Sequence, residues 1–483
     1  MAQSSNQSIT RRSFLGRGGA ATMAAAVASG TTRAAEARRM NMLFLISDDL
    51  NNVLGCYGHP EIHTPNIDQF AERSLKFDRA YCQFPLCNPS RSSMMTGLYP
   101  DETRVLNNKA LFRDRYPDIA TMPQWFQQHG YTAARVGKLF HYGVPKQIGT
   151  DGLDDPTSWD EVVNPRGRDV DDEDKIFSLR EGQYGGTLSW LAADGTDEEQ
   201  TDGIAATETI RLMEKYKEKP FFLGVGFYRP HTPFVAPKKY FDLYPIDDIE
   251  PLPFPEVWEP VAAFVNAKKE QRTMTDRQRQ EATQAYYASI TFLDAQVGRV
   301  LDALEPLGLA DNTVVAFTSD HGYHLGEHGL WQKRSLFEES ARVPLLLSAP
   351  GMTTRGKSTD SLAELVDLYP TFADCCGLPI PQHVSGVSLK PALENTKAHT
   401  KDIALTMDTR NVQEDGARVE FKGYTIRSDR WRYTEWDGGA RGAELYDHMN
   451  DAQEQRNLVD SEAHAGIAGE MKRLLGERLA AMA

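Results

Sequence analysis

The stretch that decides the fold is MNMLFLISDD at residues 40–49, a near-continuous apolar run that ends in two aspartates. Such a run is typical of a strand that is buried on both faces of a parallel sheet. Four later runs share this character, and amphipathic helical patterns separate them. They are YTAARVG (131–137), KPFFLGVGF (219–227), TVVAFTS (313–319) and VPLLLSAPG (343–351). This alternation predicts an α/β fold with a large, mainly parallel central sheet flanked by helices.

Two helices are predicted from apolar periodicity, over residues 284–304 and over residues 65–77, where a proline begins the pattern. From about residue 406 the pattern changes, and KGYTIRSDRWRYTEWDGG alternates like a β-hairpin that turns at Asp429 and Arg430. A terminal helix is predicted around residues 466–482. We therefore expect a smaller C-terminal domain that consists of an antiparallel sheet and this helix.

These patterns predict three parts of the chain: a signal peptide (1–37), a catalytic α/β domain (39–405) and a C-terminal antiparallel subdomain (406–483). The first part pairs Arg11 with Arg12 ahead of a weakly apolar Ala/Gly run, and small residues at 35–37 suit cleavage. This resembles a bacterial twin-arginine export signal, so we expect a periplasmic or extracellular protein. A disordered N-terminal tail is the alternative interpretation.

The composition excludes several classes of partner. The 483-residue chain has a formal net charge of −15, which disfavours general binding to nucleic acid or to anionic membrane surfaces. No stretch after the signal is long and apolar enough to span a membrane. The five cysteines are odd in number and do not resemble a disulfide framework, although pairing of Cys56 with Cys82 stays open.

Polar side chains of a few chemical types recur where the predicted strands end. They are Asp48 and Asp49, Lys138 and His141, Arg229 and His231, and Asp320 and His321, with Lys333 one loop later. Each residue taken alone fits a turn, a cap, a solvated surface or a structural hydrogen bond. Ligands bind at the carboxyl ends of strands in open α/β sheets, so the recurrence predicts one functional site at that edge.

The residue types indicate what this site holds. Three aspartates offer hard oxygen ligands, which suit Ca²⁺ or Mg²⁺ rather than zinc. Lys138, Lys333 and Arg91, with the N-terminus of a helix that starts at Cys87, form a cationic cradle for an oxyanion. Histidines titrate near neutrality and are able to move protons. A metal and cations around a tetrahedral oxyanion indicate sulfuryl or phosphoryl transfer.

The segment LCNPSRSSMMTG at residues 86–97 resembles the signature of the sulfatase family, in which C-x-P-S-R is followed by T-G. The early aspartate pair, VGKLFH, FTSDHGYHLGEHGLWQK and a late ELYD match the rest of the family pattern in order, from about residue 41 to residue 447. Many sulfatases have GKWH where this chain has GKLFH, and asparagine where it has His321. Both departures are shared with the iduronate 2-sulfatase subgroup, which the chain resembles most.

The resemblance implies that a maturation enzyme converts Cys87 to formylglycine (3-oxoalanine), whose hydrate attacks sulfur and then releases sulfate. It implies one Ca²⁺, with the ligand set Asp48, Asp49, Cys87, Asp320 and His321. It also implies the catalytic set Cys87, Arg91, Lys138, His141, His231 and Lys333. In these roles the lysines neutralise sulfate, while His141 is the base and His231 is the acid that protonates the leaving alcohol.

The implied substrate is a sulfated carbohydrate, and we expect exo removal of 2-O-sulfate from a uronate. Insertions at 150–205 and 232–275 are expected to wall the pocket, with a cation for the uronate carboxylate among Lys238, Lys239, Arg334 and Arg229. Three other hypotheses stay open. They are a sulfatase for another sulfated polysaccharide or for an aryl or choline sulfate, a phosphonate monoester or phosphodiester hydrolase, and a glycan-binding relative without turnover.

Overall fold

The structure, a computed structural model, describes residues 39–252 and 268–482, and these described residues make up one compact unit. The predicted signal peptide lies outside the described residues, as does the part of the second insertion from 253 to 267. No helix in the described part of the chain is long and apolar enough to cross a membrane. The predicted boundary between residues 405 and 406 stays a prediction.

The strands fall into one large sheet and three small ones. Their bounds are β1 Asn41–Asp48, β2 Leu75–Tyr81, β3 Thr132–Gly137, β4 Glu161–Val163, β5 Phe177–Ser178, β6 Ser189–Ala193, β7 Phe221–Pro230, β8 Phe234–Pro237, β9 Thr313–Ser319, β10 His324–Leu325, β11 Trp331–Gln332, β12 Arg342–Ser348, β13 Lys357–Thr359, β14 Ala363–Glu364, β15 Ala404–Glu414, β16 Ala417–Arg427, β17 Trp431–Trp436 and β18 Ala443–Asp447.

The helices are mostly short, apart from one long helix and three of intermediate length. Their bounds are α1 Pro65–Ala71, α2 Cys87–Thr96, α3 Pro100–Thr103, α4 Met122–Gln128, α5 Arg168–Asp171, α6 Thr201–Tyr216, α7 Lys238–Phe241, α8 Lys269–Arg272, α9 Asp276–Asp302, α10 Glu338–Ala341, α11 Leu368–Cys375, α12 Lys390–Glu394 and α13 Ala465–Ala481.

The large sheet has the strand order β13-β2-β12-β9-β1-β7-β3-β4, with β14 also paired to β2. Strand β1 lies near its centre and pairs in parallel with β7 on one side and β9 on the other. Strand β12 is the exception, since it runs antiparallel to both β2 and β9. The predicted fold class, a mainly parallel central sheet with a smaller antiparallel C-terminal sheet, is confirmed.

Helices cover both faces of this sheet, which explains why β1 is apolar throughout. Its side chains alternate, so that Leu43 and Leu45 pack with α1, α6 and α9, whereas Met42, Phe44 and Ile46 pack with α2, α4 and α11. A strand buried on both faces has no solvent-facing position for a polar side chain. Its first charged side chains therefore come where it ends, at the edge of the sheet.

One predicted element is partly wrong. The helix predicted over residues 65–77 ends at Ala71, and strand β2 begins at Leu75. Leu75 and Phe77 are both buried while the residue between them is partly exposed, which is the period of a strand. Over so short a stretch, apolar residues at this spacing fit the period of a helix as well as that of a strand. The pairing of β2 with β12 therefore decides the structure.

The C-terminal sheet has the order β15-β16-β17-β18, and all of its pairs are antiparallel. The predicted hairpin corresponds to β16 and β17, in which Arg427 lies opposite Arg432 across the predicted turn. The sheet is wider than the predicted hairpin, because β15 and β18 extend it on both sides. Helix α13 packs its buried Met471 and Leu475 against this sheet.

Two glycines determine where the end of β3 lies. Gly137 has φ of +71°, and a Cβ added to it would lie 2.2 Å from the carbonyl oxygen of Gly226. A Cβ on Gly226 would in turn lie 1.9 Å from the carbonyl oxygen of Lys138. The amide of Lys138 donates to Gly226 across this contact at 2.8 Å. The close backbone approach, which only glycine permits, fixes the residue that follows β3.

We predict that Gly226→Ala destabilises the protein by about 1–3 kcal/mol or more, because backbone cannot yield to the added methyl group. The matched control is Gly476→Ala in α13, where nothing lies within 4 Å of the added Cβ. This control should raise stability by about 0.5–1 kcal/mol, since alanine favours a helix interior. Thermal unfolding of both variants checks the prediction, and an unchanged melting temperature in Gly226→Ala would refute it.

Candidate active site

Side chains from three segments converge beyond the carboxyl ends of β1 and β9. Ser47 lies opposite Ser319 in the parallel pair, so the residues that follow these two positions lie side by side. Five buried residues each place one ligand atom within 4.8 Å of all the others. They are Asp48, Asp49, Cys87, Asp320 and His321.

This cluster fits a hard metal ion. It contains three carboxylates, and the buried Oδ2 atom of Asp49 receives no hydrogen bond from the described residues. His321 faces the cluster with Nε2, which lies 3.3 Å from Asp49 and 3.6 Å from Asp320. Its Nδ1 lies 3.0 Å from the carbonyl oxygen of Gly322. Since a carbonyl only accepts, Nδ1 carries the proton, which leaves the Nε2 lone pair available to a cation.

The crowding of buried charges in this cluster shifts the pKa values of Asp320 and His321. Burial raises the pKa of Asp320 to about 6, against the influence of Arg91 and His321. Burial would lower the pKa of His321, but Asp320 and Asp49 outweigh it and raise the value to about 9. His321 is thus held as a cation among carboxylates, a position that a metal ion would fill instead.

Asp49 has a backbone conformation that non-glycine residues rarely adopt, with φ of +68°. Helix α9 holds it there, because the Tyr286 hydroxyl donates to the Asp49 carbonyl at 2.8 Å and accepts from the Asn51 amide at 3.0 Å. The Asp49 amide donates to Asp320 at 3.1 Å. Left-handed backbone at a non-glycine residue costs about 1–3 kcal/mol and persists where surrounding contacts impose it.

Cys87 is the first residue of α2, and its side chain is buried. The helix runs for ten residues and ends at Gly97, whose φ of +72° and amide bond to the Ser93 carbonyl form a C-terminal cap. The N-terminal end of the helix dipole therefore points at the metal cluster. The Cys87 Sγ atom lies 3.5 Å from His321 Nε2 and 3.8 Å from Asp49 Oδ1.

Two lysines approach this thiol from separate segments. Lys138 Nζ lies 2.5 Å from Asp48, and Lys333 Nζ lies 2.5 Å from Asp49 and 3.1 Å from Cys87 Sγ. Burial alone would raise the pKa of the Cys87 thiol, but Lys138, Lys333 and two nearby histidines hold it well below its usual range. The position is therefore built for an anionic oxygen or sulfur.

Those two histidines are His141 and His231. Both act on the Cys87 thiol, whose pKa they help to lower, and burial lowers the pKa of His141. His231 Nδ1 lies 2.5 Å from the carbonyl oxygen of Thr232, so this nitrogen carries a proton. Its Nε2 lies 3.8 Å from Asp49 Oδ2 and faces the site. The site thus has two proton carriers beside one reacting position.

Lys333 lies between two residues with left-handed backbone. Gln332 has φ of +71° and Arg334 has φ of +73°. Gln271 donates to the Gln332 side chain at 2.8 Å, while Arg334 donates to Asp408 of β15 at 2.6 Å. One helix and the C-terminal sheet therefore impose the strained turn that presents Lys333 to the site.

Comparisons with known proteins agree with this geometry. The sulfatase family profile matches residues 40–378, and a profile described as N-sulphoglucosamine sulphohydrolase, C-terminal, matches residues 326–481. Mouse iduronate 2-sulfatase is 33% identical, with 89% of this chain and 92% of that protein covered. The chain belongs to the sulfatase family. It is a sulfuric ester hydrolase.

Solved structures confirm the sulfatase fold. A phosphonate monoester hydrolase of Agrobacterium radiobacter superposes with a TM-score of 0.74 at 22% identity, covering 91% of this chain and 96% of that one. A structure titled as a 2-O GAG sulfatase superposes with a TM-score of 0.69, also at 22% identity, covering 92% and 93%. At this level of identity the likeness concerns the fold alone.

The structure brings every sequence-predicted site residue of this sulfatase to one place. The four cations predicted to bind the substrate carboxylate do not face it as free charges, because each is paired with an aspartate. Lys238 pairs with Asp242, Lys239 with Asp197, Arg229 with Asp169 and Arg334 with Asp408. The open question about Cys56 and Cys82 also has an answer, since all five cysteines are free thiols.

Three residues that hold the sulfatase site escaped the sequence analysis: Tyr286, Gln332 and Asp408. Tyr286 lies 237 positions from the residue it holds, and it is one of many apolar-face positions in α9. Gln332 and Asp408 carry no signal in their own segments. Only the pairing of distant elements shows that they support Asp49 and Lys333.

We predict that Tyr286→Phe lowers both activity and stability, since it leaves the Asp49 carbonyl and the Asn51 amide without their partner. Each unsatisfied buried group costs about 1–3 kcal/mol. The control is Tyr287→Phe, which removes one partly buried hydrogen bond to His59, 3.2 Å long and outside the metal cluster. Activity and melting temperature of the two variants check this. Equal behaviour of both would contradict the assigned role of Tyr286.

Proposed function

We propose that this sulfatase removes 2-O-sulfate from a terminal uronate of a sulfated carbohydrate, with Cys87 converted to formylglycine and one Ca²⁺ bound. A formylglycine-generating maturation enzyme is the implied partner. The observation that carries the proposal is the position of Cys87, which is buried at the start of α2 where the charges of Lys138 and Lys333 act on it. A thiol there would hold the sulfuryl group without an easy exit, so the unmodified cysteine is poorly suited to this hydrolysis.

Asp48, Asp49, Asp320 and His321 would hold the calcium ion, with residue 87 beside them. A bound ion supplies Lewis acidity to the sulfate group. Hydrated formylglycine supplies an oxygen nucleophile and a second hydroxyl for the release of sulfate. The remaining chemistry belongs to the side chains around residue 87.

The cations of the site bind and orient the sulfate. Lys138 and Lys333 come from separate segments, and each is held by one carboxylate of the metal cluster. Although burial opposes it, Asp49 and Cys87 hold the pKa of Lys333 above its usual range. Lys333 therefore stays charged, and the two lysines together neutralise the sulfate oxygens while charge builds on them.

Proton transfer falls to the two histidines. His141, whose lowered pKa keeps the ring neutral at neutral pH, takes the proton from the hydroxyl of residue 87 that releases sulfate. His231 keeps its Nδ1 proton on the Thr232 carbonyl, so its Nε2 is the atom that carries a proton to the leaving sugar oxygen. A sugar alkoxide leaves poorly, and this protonation makes its departure feasible.

Two observations support the uronate and the exo mode. The chain is 33% identical to mouse iduronate 2-sulfatase over most of both chains. The first insertion also lies against the site, since the Thr232 hydroxyl beside His231 donates to the Gly185 carbonyl at 3.1 Å. A pocket walled by such segments admits a chain end more easily than an internal sugar.

Hydrolysis of a phosphonate monoester or phosphodiester is the second candidate. A phosphonate monoester hydrolase with the same fold shows that this architecture accommodates such chemistry. Lys138 and Lys333 lie near residue 87, and this pair of cations suits a monoanionic sulfate ester and a monoanionic phosphodiester alike. The geometry of the site fits both candidate substrates, so only their relative rates of hydrolysis distinguish the two candidates.

We predict that exhaustive removal of Ca²⁺ abolishes activity and lowers the melting temperature, and that added Ca²⁺ restores both. Binding at a hundredfold excess over Kd stabilises a protein by about 2.7 kcal/mol. Asp320→Asn should lose the calcium-dependent shift, because it removes one ligand charge, whereas the exposed control Asp302→Asn should keep it. Full activity in chelated enzyme would rule out the metal.

We predict that matured enzyme hydrolyses 2-O-sulfated uronate oligosaccharides faster than the 3-O- and 6-O-sulfated sugars, and only at the non-reducing end. Product analysis on defined oligosaccharides, with a phosphonate monoester and a phosphodiester in the same panel, gives kcat/KM for each candidate. A higher kcat/KM for the phosphodiester would favour the second candidate. Release of internal sulfate would contradict the exo mode.

A further inference from the structure

Lys268 lies where three segments around the active site meet. Its Nζ donates to the carbonyl oxygen of Gly186, in the first insertion, and to Oε1 of Gln332 at 2.7 Å. Lys268 itself belongs to the second insertion, and Gln332 immediately precedes Lys333. The side chain is half-buried. Lys268 thus binds the residue that immediately precedes Lys333, the lysine that contacts Cys87.

Among the described residues, Lys268 has no carboxylate partner, unlike the four cations that the sequence analysis assigned to the substrate carboxylate. Within residues 39–252 and 268–482, no carboxylate oxygen lies within 4.0 Å of its Nζ, and both of its hydrogen bonds go to neutral amide oxygens. The four cations predicted from the sequence to bind the substrate carboxylate are each paired with an aspartate. A partly buried charge that is not paired is unfavourable until an anion reaches it.

We propose that Lys268 is a specificity-determining residue that binds the carboxylate of the uronate whose sulfate ester is hydrolysed. The inference rests on the proposed function, since it assigns the second anion of that substrate. Lys138 and Lys333 serve the sulfate, and Lys268 serves the carboxylate on the side where both insertions meet. The two anionic groups of one sugar then reach separate cations.

The charges that face Lys268 agree with this role. Burial lowers its pKa to about 8, with repulsion from Lys333 and Arg180 opposing attraction to Glu270 and Asp49. The cation is therefore lost as pH rises through about 8 in the free enzyme. A bound carboxylate favours the charged form, so binding of an acidic substrate should weaken above that pH.

The test compares Lys268→Met with Lys269→Met, its exposed neighbour. Both variants are assayed on a 2-O-sulfated uronate disaccharide and on its carboxyl-reduced counterpart. Loss of a charge-assisted hydrogen bond should lower kcat/KM for the acidic disaccharide about 10- to 100-fold in Lys268→Met, mainly through KM. The reduced disaccharide should change less than about twofold, and Lys269→Met should match wild type on both.

If Lys268 only positions Gln332, kcat/KM in Lys268→Met should fall equally for both disaccharides. That result would overturn the proposal. Lys268→Arg keeps the cation and should retain most of the preference for the carboxylate, which guards against a misfolded methionine variant. In wild type the preference should fall above pH 8, and in Lys268→Met it should be low and independent of pH.

Calorimetric binding of both disaccharides to unmatured protein separates this inference from the proposed function. A Kd that rises for the acidic disaccharide alone in Lys268→Met supports the inference even if matured enzyme does not hydrolyse that sugar. Equal affinity of wild type for the acidic and reduced disaccharides overturns the inference, while sulfatase activity on other sulfate esters is unaffected.

Discussion

The site depends on the hydrogen bonds that the buried guanidinium of Arg91 donates. It has no solvent exposure and donates to Asp320 at 2.8 Å, to Asp48 at 3.4 Å and to the backbone carbonyls of Ser47 and Lys138. These acceptors lie at the ends of β1, β3 and β9. A buried charge requires such partners, so one side chain of α2 joins three strand ends and fixes Cys87 relative to them.

Three of the eight non-glycine residues that have positive φ in the described part of the chain lie at this site. Asp49, Gln332 and Arg334 all have left-handed backbone, and each is held by an element from another part of the chain. Helix α9 holds Asp49 through Tyr286, and β15 holds Arg334 through Asp408. The C-terminal sheet thus does more than cover the catalytic sheet, since it helps to position Lys333 beside residue 87. Preorganised charge of this kind needs no rearrangement when charge develops in the reaction.

The sequence predicted the elements and residues that carry strong local signals. Buried parallel strands are apolar throughout, so the first polar residues after them identify the functional edge, as Asp48, Asp320 and Lys138 illustrate. What escaped prediction depends on pairing between distant segments. The helix predicted over residues 65–77 overlaps the first three residues of β2, because Leu75 and Phe77 fit both periods. Tyr286, Asp408 and Lys268 act through partners far away in sequence, and four cations expected to face the substrate proved to be paired with aspartates.

The central claim is that Cys87 acts after conversion to formylglycine, and the tryptic peptide of residues 80–91 tests it directly. Mass spectrometry of preparations made with and without a maturation enzyme gives the converted fraction at position 87. The account predicts that specific activity on sulfate esters rises in proportion to that fraction, from almost none in unconverted protein. Full activity in protein whose residue 87 is entirely the thiol would contradict the account.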